Sequence, residues 1–344
     1  MSESLNEIAL AMVAEGQGIL AADESTGTIK KRFDQIGVAN EEENRRAYRE
    51  MLFTAQNAMT NYVSGVILFE ETLGQSMADG RRFADIIKAA GAVPGIKVDK
   101  GAKPLAGFPG ETVTEGLDGL RERLEGYYKQ GARFAKWRAV ISIDTANGLP
   151  TTAATAADAH ALARYAALCQ ENGIVPIVEP EVLMDGPNAG HDIDTCYKVT
   201  TETLRVVFNE LAAMRVALDG MILKPNMVVP GQKGPQVSAQ QVAEMTVACL
   251  KETVPATVPG IAFLSGGQSE AQATEHLSLM NKLGDLPWKL TFSYGRALQQ
   301  AALLAWGGKA ENVGAAQAAF AHRARMNGLA ARGEWAAEDE REAA

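Results

Sequence analysis

The sequence predicts a single α/β domain of the TIM (β/α)8 barrel type, spanning residues 1–344. Three observations lead there. Short apolar runs recur along the whole 344-residue chain, helix-like segments separate them, and no stretch rich in Pro, Gly or Ser divides the chain. Strand–helix alternation of this kind implies a mainly parallel sheet, and eight repeats suit closure into a barrel.

Residues 1–17 read as an amphipathic helix that leads into the first strand. The strand-like runs are then Gly18–Asp23, Gly65–Glu70, Gly95–Asp99, Phe134–Arg138, Ile174–Glu181, Gly220–Asn226, Gly260–Gly267 and Leu290–Arg296. They start roughly 30 to 45 residues apart, room for a βα unit and its loops. Between them, Gly116–Gly131 carries Leu117, Leu120, Leu124 and Tyr128 at helical spacing and stops at glycine. Ala153–Gly173 is rich in alanine and leucine and ends at Asn172-Gly173. Ser238 followed by Gln241, and Ser269 followed by Gln272, have the form of capping boxes. The charged, alanine-rich end from 331 reads as a frayed helix or flexible tail.

Composition narrows the function. Hydrophobic residues make up 47% and charged residues 22%, the balance of an ordinary globular protein, and a net charge of −9 argues against broad nucleic-acid or anionic-membrane binding. The N-terminal stretch "MSESLNEIALAMVAEG" has no basic flank, and no apolar run reaches membrane-spanning length, so a cytoplasmic location is expected. Three cysteines and four histidines, all far apart, suit reduced thiols and no metal centre.

Barrel strands are ordinarily filled with Val, Ile and Leu. Here nearly every run carries polar groups near its C-terminal end, where such barrels place their active sites. These are Asp23, Glu70, Lys97 with Asp99, Lys136, and Glu179 with Glu181. Lys224, Ser265, and Ser293 with Arg296 complete the ring. Any one of them alone is an ordinary rim ion pair; eight strands converging on one ring indicate an enzyme.

"FLSGGQ" brings Ser265, Gly266 and Gly267 to the end of the seventh strand, and "SYGRAL" brings Gly295 and Arg296 to a helix start after the eighth. Glycines by themselves only turn a chain. At this position, with an arginine able to grip an oxyanion bidentately, they predict a phosphate site. Lys97, Ser25, Thr28 and the Lys30–Arg32 run offer a second one across the mouth, although a short basic run is usually a solvated face.

Lys224 stands at the end of an apolar run, directly before Pro225, which disfavours helical geometry at the lysine. An isolated lysine there would pair with a carboxylate and do no more. A nucleophilic amine must be neutral, yet an unperturbed lysine is neutral about once in two thousand molecules at pH 7. Lys136, between Ala135 and Trp137, could face Lys224 across the barrel, with Glu179 and Asp23 available for proton transfer and charge balance.

At these residues the chain resembles a known family. "GILAADESTGTIKKR", "GVILFEETLGQ", "GIKVDKG", "PLAG", "GLDGLRER", "FAKWR", "NGIVPIVEPE", "LKPNMV", "FLSGGQSE" and "LTFSYGRALQ" occur in the order found in class I, Schiff-base-forming fructose-1,6-bisphosphate aldolases, from about residue 15 to about residue 325. The resemblance implies that Lys224 is the Schiff-base nucleophile and Glu179 the acid/base. It implies that Asp23 and Lys136 position substrate hydroxyls and tune charge, with Glu181 in support. Ser265, Gly267 and Arg296 would hold one phosphate; Ser25, Thr28 and Lys97 would hold the other, with Lys31, Arg32 and Arg138 close by. It further implies phosphorylated ketose and triose substrates, no cofactor beyond the covalent imine, and a homotetramer.

One feature departs from the family. Known members close with a tyrosine that assists proton exchange, whereas this chain reads "EDEREAA" and its last tyrosine is Tyr294; residues after about 333 are therefore expected to matter little to activity. Two other readings compete: another Schiff-base barrel, such as a transaldolase or deoxyribose-phosphate aldolase, and a barrel that has lost catalysis and serves as a scaffold. Two phosphate sites favour a bisphosphate over the first, and the retained charged ring argues against the second.

Overall fold

A computed structural model describes residues 3–186 and 188–341. Eight parallel strands form a closed barrel: β1 (Gly18–Ala22), β2 (Val63–Leu68), β3 (Val93–Lys97), β4 (Phe134–Ile141), β5 (Val175–Val182), β6 (Ile222–Leu223), β7 (Gly260–Phe263) and β8 (Lys289–Tyr294). Each pairs with its sequence neighbour, and β1 closes on β8 through Ile19 with Ser293 and Leu20 with Tyr294.

The period-two alternation of a strand sorts these residues between two cores. Ile19, Ala21, Ile67, Phe134, Val175, Ile177, Ile222 and Ala262 fill the lower barrel, sealed from below by Ile8, Ala9 and Met12 of the helix Leu5–Met12. That helix starts in a capping box, Ser4 with Glu7, which the sequence reading did not single out. The alternate residues, among them Leu20, Val66, Ala135, Trp137, Val178, Leu223 and Phe263, pack outward against the helices. Trp137 stacks on Tyr165 of the helix Thr152–Glu171 at 5.5 Å between ring centroids. The parity that points Ala21, Phe134, Ile177 and Ile222 inward points Asp23, Lys136, Glu179 and Lys224 inward one step further along. There the apolar filling stops.

Several boundaries differ from expectation, and the sixth strand matters most. Leu218–Gly220 is a 3-10 turn and β6 is two residues long, so Lys224 stands just beyond the strand and not within it. The strand is short because Pro225 has no amide hydrogen to continue the ladder. β7 ends at Phe263, which frees the glycine run as a loop, while β4 extends past Arg138 to Ile141. β2 ends at Leu68, and Glu70 opens a short helix, Glu70–Leu73. The predicted helices begin and end within a few residues of the observed Leu120–Lys129 and Thr152–Glu171. Ser269 and Gln272 form a full capping box, whereas at Ser238 the side chain accepts from the Gln241 amide.

After the helix Val313–Ala331 the chain is docked, where a flexible tail was expected. Trp335 is buried, its indole N–H donates to Glu340 Oε1 at 3.1 Å, and Arg323 donates to both Glu340 oxygens at 2.7 and 2.8 Å. Residues 1, 2 and 342–344 of the expected lead-in and tail lie outside the described residues. All three cysteines are buried free thiols, and no helix among the described residues is long and apolar enough to cross a membrane.

Candidate active site

The charged side chains meet in a cavity of about 580 Å3 at the C-terminal ends of the strands. The candidate residues named from the sequence line it except Glu70, Lys31 and Lys30, the last paired with Asp34 at 2.8 Å on the exposed side of its helix. Glu70 instead accepts the Tyr127 hydroxyl at 2.8 Å, and Lys31 is exposed on the outer face of the helix Thr26–Asp34. A two-stranded hairpin, Ala102–Pro104 with Thr112–Thr114, rises beside β3 and brings Gly101 and Ala102 to the rim.

At the centre four charges are chained, Lys224, Glu179, Lys136 and Asp23, with Asp99 a fifth at the edge. Lys136 Nζ lies 2.7 Å from Asp23 Oδ2, 3.4 Å from Glu179 Oε2 and 3.9 Å from Asp99 Oδ2. Glu179 offers its other oxygen, Oε1, to Lys224 Nζ at 3.1 Å. Burial alone would push the Asp23 carboxyl up and the Lys136 ammonium down. Mutual attraction reverses both: Lys136, then Lys224 and Lys97, hold Asp23 well below the usual carboxylate range, and Asp23, Glu179 and Asp99 hold Lys136 well above the usual lysine range. The pair is therefore ionised at any working pH. Glu181 follows the other rule: burial pushes its carboxyl up, against the opposing pull of its partner Arg138.

The cavity's remaining cations differ in what holds them. Lys97 pairs with Asp99 at 3.0 Å. Arg32, expected near a phosphate, is committed to Glu24, which also binds Arg49 at 2.5 Å. Arg296 instead donates to a backbone carbonyl, that of Gln268, at 3.3 Å. It begins the helix Arg296–Trp306 and stands beside the Ser265–Gly267 loop, a setting suited to an anion. Gly267 has φ +71° with Met184 Sδ 2.5 Å from where a Cβ would sit, so that position requires glycine, while a Cβ at Gly266 would come 2.8 Å from Glu181 Oε1 and press on that carboxylate. The Ser293 hydroxyl, 1% exposed, has no hydrogen-bond partner among the described residues.

Across the mouth, Ser25 begins the helix Thr26–Asp34 without capping it; its hydroxyl faces Thr28 Oγ1 at 3.1 Å. At Ser4, Thr151, Ser238 and Ser269 the equivalent oxygen is taken by its own helix. Two hydroxyls at this helix start, with Lys97 lining the same cavity, make a second corner whose chemistry suits an anion.

Sequence reasoning missed Glu24 and the buried Gln299, which donates to Ala21 O at 2.7 Å and to Glu24 Oε1 at 3.1 Å. Glu24 meets Arg49 from a distant helix, so no local pattern announces the pair. A larger neighbouring cavity, about 680 Å3, is lined by Phe108, Asp144 and Leu149 among others but by no Lys or Arg among the described residues, so it offers a phosphate no cationic partner. No group of three or more His, Cys, Asp or Glu among the described residues is arranged to hold a metal ion.

Comparison with known proteins points to the same chemistry. Residues 4–344 match the family model "Glycolytic", fructose-bisphosphate aldolase class-I. The chain is 58% identical over 335 residues to a probable fructose-bisphosphate aldolase class 1 of Xanthomonas axonopodis pv. citri, covering 97% of this chain and 98% of that one. It is 57% identical over 320 residues to the cytosolic fructose-bisphosphate aldolase 4 of Arabidopsis thaliana, covering 92% and 80%. Among solved structures, fructose-bisphosphate aldolase from Plasmodium falciparum, in a ternary complex with TRAP and a small-molecule inhibitor, superposes with a TM-score of 0.93 at 49% identity, covering 96% and 95%.

Proposed function

Because the chain belongs to the class I fructose-bisphosphate aldolase family, we propose that Lys224 is the amine on which its reaction runs. The protein is a carbon–carbon lyase of glycolysis and gluconeogenesis. It cleaves fructose 1,6-bisphosphate reversibly to glycerone phosphate and glyceraldehyde 3-phosphate through a lysine Schiff base, without a metal cofactor. The transaldolase and scaffold readings fall away.

The observation that carries the assignment is the chain Lys224–Glu179–Lys136–Asp23. Glu179 is within hydrogen-bond reach of the Lys224 amine and takes its proton as the nitrogen attacks the ketose carbonyl. Delivered to the alkoxide, that proton completes the carbinolamine. A second proton, the one the Lys224 ammonium gives up when its amine is freed, then lets the hydroxyl leave as water while the nitrogen lone pair forms the iminium. The iminium draws the electrons of the breaking carbon–carbon bond as a carboxylate accepts the proton of the adjacent hydroxyl. Glyceraldehyde 3-phosphate departs; protonation of the enamine and hydrolysis of the imine then release glycerone phosphate and restore the amine. Lys136 and Asp23, held ionised by each other, supply a fixed donor and a fixed acceptor for substrate hydroxyls.

Arg296 with the Ser265–Gly267 loop binds one phosphate, and Ser25, Thr28 and Lys97 bind the other. A cytosolic location and a homotetramer complete the proposal, supported by the cytosolic plant relative and by family resemblance respectively. The test is borohydride reduction in the presence of fructose 1,6-bisphosphate: a ketose adduct mapped to Lys224, with loss of activity and indifference to EDTA, is expected. An adduct on another residue overturns the assignment.

A further inference from the structure

Lys224 and its partner acids come from two neighbouring strands whose backbone ladder stops where the chemistry begins. β5 and β6 pair Ile177 with Ile222 and Val178 with Leu223, and the ladder ends as the Lys224 amide donates to Val178 O at 2.8 Å. Beyond that, neither Pro180 nor Pro225 has an amide hydrogen to extend it. β5 nevertheless continues to Val182, carrying Glu179 and Glu181. Two strand ends that bear a nucleophile and its acid/base would thus be free to splay.

Asn226 bridges them. It is 1% exposed. Its side-chain carbonyl accepts the Val182 amide at 3.0 Å, the hydrogen bond that the backbone does not supply. Its amide group donates to Thr200 Oγ1 at 3.1 Å, on the helix Ile193–Ala213, and to Met227 O at 3.0 Å. One side chain therefore ties the residue after Glu181, the segment after Lys224 and an outer helix together. On the far side, Pro225 O accepts the Leu264 amide at 3.2 Å, so β7 anchors the same segment.

We propose that Asn226 is a positioning residue that replaces the interrupted β5–β6 ladder and sets the separation between the Lys224 amine and the Glu179 and Glu181 carboxylates. It does not touch the reacting atoms. It acts through Lys224, and this inference rests on the Lys224 reading above. Loss of the bridge lets the amine drift from Glu179, and proton transfer is sensitive to shifts well under an ångström. Ser25, Thr28, Lys97 and Arg296 lie on other elements and make no hydrogen bond to it.

The test compares full-length wild type, Asn226→Ala and Asn226→Leu; the leucine keeps the volume and removes the hydrogen bonds. Expected for both variants is a fall in kcat of about 30-fold or more, with KM for fructose 1,6-bisphosphate within about threefold, and a matching slowing of borohydride-trapped adduct formation. Leucine restoring kcat, or either variant trapping adduct within twofold of the wild-type rate, overturns the inference while leaving Lys224 as the nucleophile. Absence of any adduct on Lys224 in the wild type overturns both. Should neither variant fold, Thr200→Val, which removes one anchor of the Asn226 amide, is expected to lower kcat about three- to tenfold; an unchanged kcat there overturns the inference.

Discussion

Glu179 Oε1 lies 3.1 Å from Lys224 Nζ, across the last bond of the β5–β6 ladder. The same carboxylate turns its second oxygen to Lys136 at 3.4 Å. One acid thus faces both the proposed nucleophile and a fixed cation. Glu179→Gln keeps the shape and loses the base, so kcat should fall about 100- to 10,000-fold with the fold intact. Steady-state kinetics on a variant with an unchanged melting temperature check this.

The Asp23–Lys136 pair sets a pH window. Asp23 has a depressed folded pKa, so its contribution to stability is present above its unfolded value near 3.9 and is lost as pH falls through the folded value. Lys136 has a raised folded pKa, so its contribution is full below about 10.4 and is lost as pH rises through the folded value. Between about pH 5 and 9 the pair contributes evenly. Asp23→Asn should cost on the order of 3 kcal/mol, by the same amount at pH 5, 7 and 9 in urea denaturation.

Asp158 behaves oppositely. It is 2% exposed, accepts the Thr114 amide of the hairpin at 3.2 Å, and is pushed up to about 7 by burial, with Glu111 adding to the push. A carboxyl whose folded pKa is raised stabilises the protein below its unfolded value and loses that contribution as pH rises to about 7. Wild-type stability should therefore decline from about pH 4 to 7, by up to about 4 kcal/mol. Asp158→Asn, which keeps the acceptor for Thr114, should flatten the decline and be the more stable protein at pH 8.

Arg296 should govern phosphate affinity. Charge-assisted hydrogen bonds contribute about 1.5–3 kcal/mol, so Arg296→Ala should raise KM for fructose 1,6-bisphosphate roughly 10- to 150-fold. Initial-rate kinetics across substrate concentration would show this, with adduct still forming on Lys224 at saturating ketose.

Ending the chain after Gly333 removes Trp335 and Glu340 and strips the buried Arg323 of its bidentate partner. The expected outcome is a protein less stable by about 3 kcal/mol, seen in urea midpoints, with little change in kcat.

Much of this was legible along the chain. Eight strand-length apolar runs separated by helix-like segments, nearly every one with polar groups near its C-terminal end, predicted the barrel and its functional rim. "LKPNM", "VEPE" and "AKWR" marked Lys224, Glu179 and Lys136 through the resemblance to class I aldolases. Lys31 and Glu70 misled: one sits on the outward face of a helix, and the other lies past a strand that ended two residues earlier.

What the linear order could not specify is which charges neutralise one another. Glu24 with Arg32 and Arg49, Asn226 with Val182, and Asp158 with Thr114 are contacts between elements distant in sequence. Periodicity decides which way a side chain points; only closure of the barrel decides what it meets. The sequence by itself determined a ring of acids and amines at one end of a barrel. The tertiary structure decided that Arg32 is bound to a carboxylate, that Arg296 rests on a backbone carbonyl beside the glycine loop, and that the Lys224 amine has Glu179 within hydrogen-bond reach. The reason is physical: charge pairing falls off over a few ångströms in a buried site, and those ångströms are set by packing between strands.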